Sequence, residues 1–266
     1  MPDHKSHSST RWILPLAVGL LAVAGWTWLI VLFDIPAYNL PSPLGVLEAL
    51  VAEWETIAKA TRHTAIEAVV GFLAAVGFGY FIALALSLDA RIKTAFYPWV
   101  IVLQMIPVVV LAPIFVLWLD PGFPSVVAIT FMISFFPIVA NTVMGMVSTD
   151  RALIDLFRMY NASKIQELLL LRVPSSLPYF LAGLKVAGTL APIGALTGDM
   201  LAGSASSETG GLGFLVIVYK AELKIPALFA SAGVSCLVGF VFVAVVNLAH
   251  WYFLREWHES AAEAER

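Results

Sequence analysis

Six apolar runs, each long enough to cross a bilayer, leave this chain few folds to choose from. They are 12–33, 65–88, 95–119, 123–147, 177–201 and 227–254. A spanning helix needs about 20 mostly apolar residues. In hydrocarbon every backbone N–H and C=O must find its partner inside the structure, so such runs become helices. Composition agrees: the 266 residues are 60% hydrophobic and 12% charged, with mean hydropathy +0.90. Soluble domains carry about 25% charged residues. An ordinary soluble enzyme and a secreted disulfide scaffold are therefore excluded, the latter also because Cys236 is the chain's one cysteine. The net charge of −3 provides no basic stripe for a nucleic acid.

The expected fold class is an all-α integral membrane protein with about six transmembrane helices. Its expected organisation is a tail 1–11, one transmembrane domain 12–254 and a tail 255–266. The first run is too long for the apolar region of a cleaved signal peptide, so it reads as a retained helix. Six spans place both termini on one side. With that side inside, the inner segments hold ten basic residues and the outer segments four, which assigns both termini to the cytoplasm. Lys185 lies within a span and completes the fifteen.

Two segments between the runs carry their own pattern. Residues 43–64 place Leu44, Leu47, Leu50, Val51, Trp54 and Ile57 at helical spacing, which predicts an amphipathic helix at the outer face. Residues 148–176 mix charge with apolar pairs and read as a cytoplasmic docking surface. Within the runs, Gly71, Ala75, Gly79, Ala83 and Ser87 recur every four residues, as do Gly183, Ala187, Ala191 and Ala195. Small residues at that spacing let helices pack closely in lipid. Pro107, Pro113, Pro137 and Pro192 predict kinks.

Catalytic and nucleotide-binding patterns are missing. There is no G-x-S-x-G, no H-E-x-x-H and no phosphate loop ending in Lys-Ser/Thr. The five scattered histidines predict no metal site. Polar residues within the runs are costly and usually face a bundle interior or cavity. Glu67 and Lys185 are expected near span ends, where they can snorkel. Gln104, Asn141 and Thr142, with Phe136 nearby, are the candidates for a translocation path. Asp199 either lines an outward vestibule or caps its helix, and the residues leave both roles open. With no basic residue placed centrally, the path leans toward a small organic or heterocyclic solute over a bare inorganic anion.

The stretch from Asp155 to Pro174 carries a resemblance. It holds Asp155, Leu156 and Phe157, then Asn161, Ala162 and Ser163, then Leu171, Val173 and Pro174. The spacing resembles the coupling loop of ABC-importer permeases, the binding-protein-dependent inner-membrane components, which runs E-A-A, three residues, G, nine residues, I-x-L-P. Asp155 stands for Glu, and Leu156 and Phe157 stand for the two alanines. Asn161 stands for the turn Gly, and Leu171 for Ile. Asn is the next residue after Gly to accept a left-handed turn. Further likeness runs from about Leu40 to Trp251. It includes Ile106-Pro107, Phe135-Phe136-Pro137, Gly183-Leu184-Lys185 and Gly211-Leu212-Gly213. This is similar to the nitrate/sulfonate/taurine branch, which also includes permeases for thiamine pyrimidine precursors and riboflavin.

The resemblance implies a type I, MetI-like permease fold and a non-catalytic subunit of an ATP-driven importer in the cell membrane. Two copies would form the path. Two cytoplasmic ATPase subunits, holding the ATP and Mg that this chain does not, would dock on Asp155–Pro174. An extracytoplasmic binding protein would deliver the solute. A secondary transporter or channel, the alternative, would show inverted repeats and paired membrane carboxylates. An intramembrane enzyme would need a nucleophile–base pair or metal ligands within the spans.

Overall fold

The computed structural model describes residues 7–203 and 210–264, and all regular structure among them is helical. Helix α1 (His7–Phe33) is followed by α2 (Pro43–Ala52), α3 (Trp54–Ser87), α4 (Ala90–Gln104), α5 (Val108–Leu119) and α6 (Phe123–Val147). Then come α7 (Arg151–Met159), α8 (Lys164–Glu167), a π-turn at Leu168–Arg172, α9 (Val173–Ala202), α10 (Leu212–Ala221) and α11 (Ile225–Ala264). Residues 204–209, between α9 and α10, lie outside the described residues, as do 1–6 and 265–266 of the tails.

Among the described residues four stretches are long and apolar enough to cross a membrane: Trp54–Ser87, Phe123–Val147, Lys164–Ala202 and Ile225–Tyr252. The third apolar run, expected as one span, is instead two helices, α4 and α5, bent by 96°. Pro107 explains the break: it has no N–H to donate and disfavours helical backbone at Ile106. It stands outside the helices, as the N-cap of α5, whereas Pro113, Pro137 and Pro192 lie within theirs. The expectation of about six spans, kinked at prolines, thus becomes four, one bent pair and α1, whose described apolar stretch is Ala17–Phe33.

The stretch 43–64 is likewise not one helix. Ser42 caps α2, its Oγ accepting from the Gly45 N–H at 3.1 Å, with Pro43 in the first turn. The helix stops at Glu53, and residues 54–64 form the start of α3. Glu67 therefore lies well inside a helix and is buried, so its carboxyl does not snorkel to water as expected.

Helix α6 occupies the centre, between α3 and α9. The two small-residue stripes make this possible. Ala75, Ile138 and Ala187 meet in one fully buried cluster, one residue from each helix. A Cβ on Gly79 would stand 3.0 Å from the Ile138 side chain, and one on Gly183 3.0 Å from Asn141. Helix α11 packs on α9 and α2, and α1 touches it through Trp26 and Phe229, whose ring centroids lie 6.1 Å apart.

One polar cluster ties α10 to this core. The Thr64 hydroxyl donates to Asp199 Oδ2 at 2.6 Å and accepts from the Leu212 N–H at 2.8 Å. The Gly213 N–H also donates to Asp199, and Glu67 lies against the same carboxyl. The approach is close: a Cβ on Gly211 would sit 2.0 Å from Asp199 Oδ2, and one on Gly213 2.2 Å from the Leu196 carbonyl. Asp199 is only 1% exposed, so its partners have no water to replace it.

Two outcomes follow from this packing. Gly145→Ala would bring a methyl to 2.7 Å from Tyr179 Cβ, whereas Gly77 has open space around it. Thermal unfolding in detergent should show Gly145→Ala destabilised by about 1–3 kcal/mol and Gly77→Ala unchanged or slightly stabilised. Asp199→Ala leaves buried donors on Thr64 and Gly213 unpaired. It should lower stability by about 1–3 kcal/mol per orphaned group, seen in the same assay.

Candidate functional site

The segment from Ser148 to Pro174 begins with Asp150, whose side chain accepts from the Ala152 N–H at 2.9 Å and caps α7. Helix α7 is two-sided. Ile154 and Phe157 are half-buried, while Leu153, Leu156, Met159 and Tyr160 are exposed. Met159 and Tyr160 show about four-fifths of their surface (80% and 81%). Asp155 is exposed and pairs with Arg158 at 3.8 Å. Asn161 ends the helix with φ 57°, in the left-handed region, and its N–H donates to the Arg158 carbonyl at 3.0 Å. Ser163 and Gln166 then form a capping box that starts α8, with the Ser163 N–H donating to Gln166 Oε1 at 2.8 Å.

From Lys164 onward the chain stays helical to Ala202, through the π-turn. Segment and span therefore join without a loop. Leu171 is buried in that junction, Ala162 is half-buried, and Pro174 is exposed in the first turn of α9.

Charge pairs that the sequence does not announce lock the junction in place. Glu167 is buried and takes Arg172, whose Nε donates at 2.8 Å, with Arg158 at 3.8 Å. Lys164 Nζ donates to Asp89 Oδ2 at 2.5 Å and ties α8 to the α3–α4 connection. The Lys164 hydrogen bond, helped by the Arg91 N–H, holds the Asp89 carboxyl below the usual range. These groups line a cleft of about 310 Å³ that also takes in Lys93 and Val147. Ser163-x-x-Gln166 was a readable signal for the second helix. The Asp89–Lys164 pair, far apart in sequence, had none.

The candidate path residues are dispersed. Asn141 Nδ2 donates to the Pro137 carbonyl at 2.7 Å, and Thr142 Oγ1 to Ile138 at 2.6 Å. Both bonds lie within α6. Phe136 and Thr142 are buried, and Asn141 is half-buried against α9. Gln104 is exposed at the last turn of α4, beside the bend. Asp199 sits at the other end of the bundle from α7, engaged with Thr64 and Gly213. Among the described residues no group of three or more His, Cys, Asp or Glu could hold a metal.

Residues 75–255 match the family described as "Binding-protein-dependent transport system inner membrane component". A probable ABC transporter permease protein of Haemophilus influenzae is 35% identical over 216 residues, covering 81% of this chain and 86% of that one. The formylaminopyrimidine transport permease protein ThiX of Halalkalibacterium halodurans is 33% identical, covering 82% and 88%. In fold, the chain is similar to the MetNI methionine ABC transporter in an inward-facing conformation, with TM-score 0.53 and 15% identity over 74% of this chain and 97% of that one. The chain belongs to the binding-protein-dependent transport family, as a non-catalytic inner-membrane permease subunit of an ABC importer.

Proposed function

We propose that α7, the Asn161 turn and α8 are the element on which a cytoplasmic ATPase docks, and that α9 carries its movement into the membrane. In this reading two copies of the chain form the path for a small solute. Two ATPase subunits hold ATP and Mg, and a binding protein delivers the solute at the α10 end. Both termini face the cytoplasm, a reading supported by the ten inner basic residues against four outer ones.

One observation carries the proposal. The exposed apolar face of α7 stands at the head of a helix that runs unbroken from Lys164 to Ala202. An apolar face that large, presented beyond the spans, needs a partner. Force applied at α8 has no flexible joint in which to dissipate. It reaches α6 and α3 through the close contacts of α9. ATP on one side and loaded binding protein on the other would bias one two-state element. The solute itself belongs to the pyrimidine- or riboflavin-like range or to the nitrate-, sulfonate- or taurine-like range, supported by relatives such as the formylaminopyrimidine, riboflavin, aliphatic sulfonate and taurine permeases.

The test is the turn. A β-branched residue at φ 57° is strained by about 1–2 kcal/mol, whereas Gly is not. In membranes carrying the full complex, Asn161→Val should insert normally but lose most solute uptake per ATP hydrolysed, and Asn161→Gly should keep it. Uptake at the normal level in Asn161→Val would remove the turn from the mechanism.

A further inference from the structure

The end of the bundle that carries α7 and α8 also holds a cleft with more cations than its own ion pairs use. Four apolar runs change to polar sequence at this level: 65–88, 95–119, 123–147 and 177–201. The cleft, of about 310 Å³, opens among the ends of α3 and α6, the start of α4 and the junction of α8 with α9. It stands where hydrocarbon gives way to headgroups.

Its walls are charged unequally. Lys93, Arg158, Lys164 and Arg172 line it with Asp89 and Glu167, four cations to two carboxylates. Arg91 and Asp155, which flank it, leave that surplus at two. Asp89 is taken by Lys164, and Glu167 by Arg172 and Arg158. Lys93 is left over: it is half-buried, and its ammonium has no ion pair or hydrogen bond among the described residues. Ser87, in the same wall, is buried with a hydroxyl that also finds no partner. Surplus positive charge beside an unused hydroxyl calls for an oxyanion from outside the chain.

The neighbourhood narrows the kind of oxyanion. Leu88 lines the cleft, and Ile92 and Phe96 flank Lys93 on α4; all three are exposed. Phe96 lies one turn beyond Lys93, toward the apolar run of α4. A soluble anion gains nothing from such surface, whereas acyl chains do. Basic pockets between spanning helices at the cytoplasmic face suit anionic lipid headgroups.

We propose that this cleft binds the phosphate of an anionic phospholipid, with Lys93 as its free cation and the acyl chains along Ile92 and Phe96. A lipid seated there touches α3, α4 and α8 at once and holds the α8 junction to the core. Only the naming of the leaflet as cytoplasmic rests on the sidedness read above; the site itself does not depend on ATPase docking.

The test uses the full chain in neutral detergent, alone and with its ATPase bound. Dioctanoyl phosphatidylglycerol and dioctanoyl phosphatidylcholine are titrated in turn, and bound lipid is read by native mass spectrometry. Inorganic phosphate is then added as a competitor. The anionic lipid should bind about tenfold more tightly than the zwitterionic one. Lys93→Gln, which breaks no ion pair, should weaken the anionic lipid by about fivefold, and Lys93→Arg should restore it. Arg91→Gln removes the same charge two residues away, outside the cleft, and should change binding by less than about twofold. Equal losses from Lys93→Gln and Arg91→Gln would reduce the effect to diffuse surface charge and overturn the site. Displacement of the lipid by an equal concentration of inorganic phosphate would make it a soluble-anion site and overturn the lipid assignment. Binding that vanishes once the ATPase is bound would give the cleft to the ATPase and overturn the proposal as well. Failure of the ATPase to co-purify would count against the coupling reading alone, because the lipid comparison is complete on the chain by itself.

Discussion

Close backbone approach between α3, α6 and α9 is the constraint on which the rest of this structure depends. In lipid the hydrophobic effect does not drive helices together, so association relies on contact at short range. Ala75, Ile138 and Ala187 meet with no space between them, and Gly145 lets the backbone at Ser176 come within 3.0 Å of where its Cβ would be. The rigid trio that results fixes the position of everything attached to it. At one end it receives α7 and α8, and at the other it receives α10 through Thr64 and Asp199.

This arrangement links the two ends of the protein mechanically. Asp89 and Lys164 bind the α3–α4 connection to α8, while Glu167 gathers Arg158 and Arg172 at the junction with α9. Helix α9 then runs on to Asp199, where its side chain holds the start of α10. On the proposed reading, a displacement at α8 would be transmitted through packed helices and short polar contacts, since a close-packed interior transmits strain. The 96° bend between α4 and α5 is the exception among the apolar runs, at Met105–Pro107, with the polar Gln104 exposed beside it.

Most of the architecture was legible because it depends on local pattern. Run length revealed the long helices, and the four-residue recurrence of small side chains revealed close-packing faces on α3 and α9, which the structure sets against α6. Asn at position 161 foreshadowed a left-handed turn, and the backbone there has φ 57°. The misreadings share a cause: they required knowing where a helix truly begins. Pro107 was taken as a kink within a span, yet it separates two helices. Residues 54–64 were read with α2, yet they extend α3, which buries Glu67. The helix from Lys164 likewise begins before the apolar run does. Pairings such as Thr64 with Asp199 and Lys164 with Asp89 depend on tertiary contact and leave no mark in either local sequence.

The central claim is that the α7–α8 segment couples this permease to its ATPase, and the most direct measurement is recovery of that partner. The tagged chain is purified from native membranes in mild detergent, and the protein that co-purifies is identified and quantified by mass spectrometry. A stoichiometric ABC ATPase is expected with the unaltered chain. It should be lost when Leu156 and Met159, on the exposed face of α7, are replaced together by Asp, while the permease itself stays folded. Retention of the ATPase by that variant at full stoichiometry would contradict the assignment of α7 as the docking surface.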